Sequence, residues 1–365
     1  MVNFSRKLVL VDGTVFFGNG FGSNEEIIRE VVFQTAKTGY QDILQDSDNY
    51  NQIVVIAHPV VDNGRVPQCD YDISKGASAL IVNKYYDVPL SSYSSKTFGD
   101  FLKDNNIPGL CDVDTNALIR KIRKDGVMHG IIVDVGVSDD IALIKLSAPH
   151  IPTHVKQISP KKSYKISVEN KRFRIAFIAF TAKKRIINEL IARACEVIVF
   201  PYNATAKEIE ASQPDGVVLS NGPGDPMDLP ELSPVIIALQ EKYPLFGICL
   251  GHQLFAIANG AQTSKMKSGH RGEDVPVKDI ATGRTLITFQ NHGYHVDNDS
   301  LEGTNLEVTQ YAIDDNSIEG LKHKKYPAFT AQYHPEAPEP RDANYLFDQF
   351  IEIIRTNKAN VYKAL

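Results

Sequence analysis

Cys249 stands in the run PLFGICLGHQLFAIANG (244–260), between two glycines, where an apolar stretch gives way to a helical pattern. G-I-C-L-G has the G-x-nucleophile-x-G form of a strand-to-helix elbow, in which flanking glycines let the backbone turn tightly while neighbouring segments approach closely. Such a turn is expected to lift the side chain out of the core. A helix N-terminus, with unpaired N–H groups and a favourable dipole, stabilises the thiolate, the nucleophilic form. The same end offers the Leu250 N–H as an oxyanion donor. Taken alone, the thiol reads equally well as a small buried hydrophobe. A base changes the balance: QYHPE (332–336) ends another β-rich run and supplies His334, with Glu336 two residues further to orient the ring and stabilise imidazolium.

Two further segments carry backbone groups suited to a substrate. LSNGPGDP (219–226) follows the strand-like GVVLS with a rigid, amide-rich loop, so Gly222 and Gly224 can provide contacts or a second oxyanion N–H. QNHGYHV (290–296) is polar and glycine-bearing after the strand-like TLITF, and could hold amino and carboxylate groups. His252, His270, His292 and His295 are expected to be structural. Cys69, Cys111 and Cys195 have no neighbouring motif and are expected to be inert.

The elements that must position these groups follow from periodicity. From 173 onward the pattern alternates strand and helix: FRIAFIAF, AKKRIINELIARA, CEVIVFP, TAKEIEAS, GVVLS, SPVIIALQEKY and PLFGIC. Short apolar runs joined by helices of this length require right-handed crossovers, hence a mainly parallel sheet with helices on both faces. Binding groups in such sheets collect at the carboxyl ends of strands. Shorter strands (262–267, 275–280, 285–290, 306–313, 328–333) and a closing helix follow.

Before 151 the chain reads as a mixed α/β domain. Asp12-Gly13 between β-rich runs marks a hairpin. Further strands are predicted at 30–35, 52–58, 79–86 and 130–136, with helices at TFGDFLKDNN and DTNALIRKIRKDG, the second capped by Asp114 and stopped by Gly126. Residues 151–172 read as a linker, giving domains 1–150 and 173–365.

Composition restricts the function classes. The 365 residues are 43% hydrophobic and 23% charged, with net charge −5, which gives no reason to expect nucleic acid or an anionic membrane as partner. No stretch approaches a membrane span, so a cytoplasmic location is the default. The four cysteines form no C-x-x-C pair or zinc spacing, so neither a disulfide framework nor a metal site is expected.

SNGPGDP, GICLGHQ and HPE, in this order and spacing, resemble the class I glutamine amidotransferases over roughly residues 173–355. EVVFQTAKTGYQDIL (30–44), DVDTNALIRKIRKDGVMHGII (112–132), KMKSGHRG (265–272) and QNHGY are similar to the small subunit of carbamoyl phosphate synthetase, which extends the resemblance over almost the whole chain. The resemblance implies Cys249 as nucleophile, His334 as acid/base and Glu336 as its orienter, acting on L-glutamine. It implies glutamine contacts at Gly222, Gly224, Leu250, Gln253, Asn291, Gly293, Tyr294 and the Ala36 position, where the family often has a serine. It also implies a separate large synthetase subunit as partner in a heterodimer, docked through the N-terminal domain. That subunit would use ATP, Mg and bicarbonate, this chain needing no cofactor, and the product would feed arginine or pyrimidine synthesis. No ATP-binding module follows the amidotransferase segment, so the synthetase is expected to act in trans. Departures from the family pattern stand at Ala179, Thr181 and Arg185, and at Asp274 and Val275. The same domain could alternatively serve another synthase, a free γ-glutamyl hydrolase or a non-catalytic regulatory subunit.

Overall fold

A computed structural model describes residues 4–35, 40–58, 73–86, 89–91, 94–147, 154–337 and 343–364, in two units, Met1–Ile151 and Pro152–Leu365. In the first, β1 (Arg6–Leu10) and β2 (Val15–Gly22) form the hairpin expected at Asp12-Gly13. Gly13 takes φ 85°, and the Leu10 N–H donates to the Thr14 carbonyl at 2.9 Å. With β3 (Ile27–Gln34), β4 (Gln52–Ile56), β5 (Ala79–Ile81), β6 (Pro108–Cys111) and β7 (Met128–Asp134) they close a barrel in the order β1-β2-β6-β5-β4-β3-β7, with β7 returning to β1. Closure leaves no edge strand in this sheet.

Alternate side chains of the barrel strands enter different cores, as the two-residue period requires. Val31, Phe33, Ile53 and Val55 pack with Leu118, Ile119 and Ile122, while Val32, Val54 and Leu80 pack with Phe98 and Leu102. These partners lie on α1 (Phe98–Asp104) and α2 (Thr115–Asp125). Asp114 caps α2 by accepting the Ala117 N–H at 2.8 Å, and Gly126 at φ 99° ends it. A further helix, α3 (Asp139–Leu146), was not foreseen; its apolar Ala142 and Leu146 pack on Val9, Ile131 and Val133.

The second unit holds a ten-stranded sheet among the described residues. Its strands are β8 (Tyr164–Ile166), β9 (Phe173–Ala179), β10 (Cys195–Pro201), β11 (Gly216–Leu219), β12 (Leu245–Ile248), β13 (Thr263–Asp279), β14 (Thr285–Val296), β15 (Leu306–Ala312), β16 (Ile318–His323) and β17 (Ala328–Ala331), in the order β8-β10-β9-β11-β12-β17-β16-β15-β13-β14. The central five, β10-β9-β11-β12-β17, are parallel, and the strands beyond either end are antiparallel. Helices cover both faces. Ile209, Ile236, Leu239, Leu254 and Phe255 pack on one side; Ile186, Leu190, Phe347, Phe350 and Ile354 pack on the other. β12 is buried along its length, and Phe246 stacks on Phe329 with ring centroids 4.5 Å apart. That pairing adds about 0.5–1.5 kcal/mol beyond area burial.

The segment expected as a linker is structured within its described part. Residues 154–158 form a short helix, α4 (His154–Ile158), and 164–166 form β8, paired antiparallel with β10. Val155 and Ile158, three residues apart, put a buried apolar face on that turn. The Ser159 hydroxyl donates to the Ala179 carbonyl at 2.7 Å and accepts the Tyr202 N–H at 3.0 Å. Among the described residues no helix is long and apolar enough to cross a membrane.

Candidate active site

The parallel strands β9, β11, β12 and β17 deliver their following residues to one edge. Cys249 follows β12 and begins α5 (Leu250–Ala258). Its backbone takes φ 53° and ψ −105°, a conformation L side chains rarely adopt, costing of order 1–3 kcal/mol. Tertiary contacts hold it there. The Cys249 N–H donates to the Ala331 carbonyl at 2.8 Å, and its carbonyl accepts the His252 and Gln253 N–H groups.

The flanking glycines are needed for close approach. A Cβ on Gly247 would lie 2.7 Å from the Gly251 carbonyl oxygen, and one on Gly251 would lie 2.4 Å from the Leu219 carbonyl oxygen. The elbow does not lift the thiol clear of the core as expected: Cys249 is 1% exposed and packs within the apolar cluster of β9, β12 and β17. The Leu250 N–H lies in the first turn of α5, and among the described residues no acceptor takes it. Gly222 packs directly on this residue, because a Cβ there would meet Leu250 Cδ2 at 2.8 Å. Gly224, at φ 97°, takes the left-handed turn the loop requires.

β17 lies beside β12, with Ile248 opposite Ala331, and His334 follows three residues later. The His334 N–H donates to the Phe289 carbonyl, and Phe289 meets the imidazole edge-on at 5.7 Å. Nδ1 lies 2.9 Å from Glu336 Oε1. Burial raises the Glu336 pKa, but the charges of His334 and Lys183 and the hydrogen bond outweigh it and bring it down to about 2. An ionised carboxylate only accepts, so Nδ1 carries the proton and Nε2 is the nitrogen left to exchange one.

Lys183 was not singled out from the sequence. It follows β9, and its Nζ lies 3.3 Å from Glu336 Oε1. Its 3.4 Å approach to His334 Nδ1 sets two donors together and adds no bond to the ion pair. The signal available in FTAKKRI was a lysine just past the carboxyl end of a central parallel strand. Lys183→Met should lower kcat/KM for glutamine, the substrate that the sequence resemblance implies, roughly tenfold, since hydrogen bonds to buried charges contribute about 1.5–3 kcal/mol. Steady-state glutamate release measures this, and a value within about twofold of wild type would remove Lys183 from the site.

The structure brings Gln253 and Tyr294 together. Gln253 Nε2 donates to the Tyr294 carbonyl at 2.8 Å. Asn291 Oδ1 accepts from Arg271 Nη1 at 2.6 Å, and Gly293 leaves room for the same guanidinium. The strand expected to end at 290 runs on through QNHGYHV as part of β14, paired with a β13 that is unbroken from Thr263 to Asp279. Register shifts between Lys265 and His270 and between Gly272 and Val275 absorb its irregular sequence. Ala36 lies outside the described residues.

The remaining candidates have structural surroundings. His252 is fully buried, hydrogen-bonded to Thr330 Oγ1 at 2.7 Å, and burial lowers its pKa to about 3. Burial likewise drives His292 well below its ordinary value. His270 is opposed by burial, but Asp315 and Glu319 outweigh that and raise it to about 10. Burial pushes the Cys111 and Cys195 thiols up to about 12, keeping them protonated. Cys69 lies outside the described residues. Of the family departures, Thr181 is accommodated by bonds from its hydroxyl to Asn221 and from its N–H to Ser220 Oγ.

A central parallel sheet carrying a cysteine elbow beside a histidine–glutamate pair defines a class of protein, and residues 178–353 match the family model for glutamine amidotransferase class-I. Residues 8–132 match the model for the carbamoyl-phosphate synthase small chain, CPSase domain. A carbamoyl phosphate synthase small chain from Bacillus thuringiensis subsp. konkukian is 47% identical over 355 residues, 97% of each chain. One from Listeria monocytogenes serotype 4b is 46% identical over 96% of each. The carbamoyl phosphate synthase pyrimidine-specific small chain of Bacillus subtilis is 48% identical over 97% of each. The chain belongs to the carbamoyl phosphate synthase small chain family, as its sequence resemblance implied.

Proposed function

We propose that this chain hydrolyses L-glutamine through a γ-glutamyl thioester on Cys249 and passes the ammonia to a separate large synthetase subunit, which makes carbamoyl phosphate. The observation that carries this reading is the placement of the Cys249 elbow and the Glu336-held His334 on the ends of adjacent parallel strands. His334 Nε2 takes the thiol proton, and the thiolate attacks the side-chain amide carbon. The resulting oxyanion is held by the Leu250 N–H, with the Gly222 loop alongside; one such donor is typically worth about 2.7–4 kcal/mol. His334 returns the proton to the leaving nitrogen, and ammonia departs. Water, deprotonated by the same nitrogen, then cleaves the thioester to glutamate. Glu336 keeps the imidazole in the working tautomer throughout.

Gln253, Asn291, Gly293, Tyr294, Gly222 and Gly224 form the glutamine pocket in this reading. ATP, Mg and bicarbonate are used by the large subunit, in a cytoplasmic heterodimer docked through the N-terminal unit. Ammonia released into neutral water is protonated and loses its nucleophilic lone pair, so its value depends on protected delivery. Hydrolysis by the chain alone should therefore be slow. Adding the large subunit with ATP and bicarbonate should raise glutamate release roughly tenfold or more, within the usual range of coupling between sites. Fast turnover that ignores the partner would favour a free hydrolase.

A further inference from the structure

The Tyr294 carbonyl can only accept a hydrogen bond, so the Gln253 atom 2.8 Å from it is the amide nitrogen. That nitrogen also lies 3.0 Å from the Gln332 side chain. Both hydrogens of one NH2 group are then committed to acceptors, which makes the facing Gln332 atom its oxygen. One backbone carbonyl thus fixes the orientation of two side-chain amides in series. Two atoms are left over: Gln253 Oε1, an acceptor, and Gln332 Nε2, a donor.

Gln332 is fully buried, and its Nε2 has no acceptor among the described residues. The Gln332 N–H donates to the Glu319 carbonyl, the neighbouring Tyr333 hydroxyl donates to Gln310 Oε1 at 2.8 Å, and His334 is held by Glu336. A buried donor with nothing to donate to is costly, and folds retain one chiefly where something else completes the bond. Gln332 lies two residues before His334 and bonds Gln253, whose own N–H bonds the Cys249 carbonyl.

We propose that Gln332 is a substrate-positioning residue for L-glutamine. Its Nε2 donates to the substrate α-carboxylate, while its Oε1 holds Gln253 so that Gln253 Oε1 accepts from the α-ammonium group. A free α-amino acid presents an anion and a cation on one carbon, and the two amides present the complementary donor and acceptor. The inference rests on the glutaminase reading, and it makes the pair a filter for free glutamine over amides that lack the α groups.

The test uses the full chain assembled with its synthetase subunit. Gln332→Met keeps the size and removes both polar atoms; Gln332→Glu keeps the acceptor for Gln253 and replaces the donor with a negative oxygen. KM for glutamine should rise roughly tenfold in Gln332→Met and further in Gln332→Glu, with kcat held within about threefold. Butanamide, which lacks both α groups, should be hydrolysed with the same kcat/KM by wild type and Gln332→Met. Should the buried charge of Gln332→Glu prevent folding, the methionine variant and the analogue decide the matter. Undiminished synthesis from ammonium shows that the assembly is intact. A KM unchanged in Gln332→Met, as expected if a buried water satisfies the amide, overturns the proposal, and so does a fall in kcat at constant KM. Wild-type glutamine turnover that disappears in Cys249→Ser checks the glutaminase reading in the same assay, so failure of that reading is distinguishable from failure of the role of Gln332.

Discussion

Cys249→Ser should abolish glutamine-dependent carbamoyl phosphate synthesis, with a loss of roughly a thousandfold or more, while synthesis from added ammonium continues at the wild-type rate. Serine fits the elbow, since it is smaller than cysteine and can adopt the same backbone. What it lacks is an ionisable group that His334 can readily deprotonate: the thiolate is accessible near neutral pH, and the alkoxide is not. The partner's chemistry needs only ammonia, so supplying ammonium bypasses the missing step. Measuring both nitrogen sources on the same preparation separates a lost nucleophile from a damaged assembly. Equal loss of both would mean that Cys249 supports the complex rather than the hydrolysis.

His334→Asn should act similarly, reducing glutamine-dependent activity on the order of 10²–10⁴-fold, the usual contribution of general acid–base catalysis, with ammonium-dependent synthesis preserved. Asparagine keeps a polar group near Glu336 Oε1 but cannot exchange a proton at neutral pH. The cost should exceed that of Glu336→Gln, because a neutral amide still orients the ring whereas nothing replaces Nε2. The Glu336 pKa of about 2 means that its charge is present throughout the neutral range, so the pH dependence of hydrolysis should not reflect its titration. Comparing kcat for glutamate release in the two variants checks the order. Glu336→Gln as damaging as His334→Asn would assign the carboxylate more than orientation.

Much of the site was legible because its requirements are local. A nucleophile elbow needs small residues on either side, and the contacts met by a Cβ at Gly247 or Gly251 show why. Asp114, Gly126 and the Asp12-Gly13 turn work through the backbone of their own few residues, so their effects could be read directly. The alternation after residue 173 announced a parallel sheet because crossover helices impose that period. Lys183 and Gln332 were opaque for the opposite reason. Each acquires its role from a partner distant in sequence, Lys183 from Glu336 and Gln332 from Gln253, which local spacing does not record. The closed barrel was equally hidden, since β7 must return to β1, and hydrophobic alternation records which face is buried but not which strands pair. In the long β13 strand, a proline at 276 and two register shifts break the two-residue period, which is why it reads as two short strands.

The central claim is that Cys249 carries the γ-glutamyl group during turnover. Its most direct measurement is acid quenching of the wild-type complex during steady-state hydrolysis of isotopically labelled glutamine, followed by proteolysis and mass analysis of the peptide containing GICLGHQ. The account predicts a labelled γ-glutamyl thioester on Cys249 that forms and decays at rates compatible with turnover, and no such adduct in Cys249→Ser. Rapid glutamate release with Cys249 unmodified, or with the label on another residue, would contradict it.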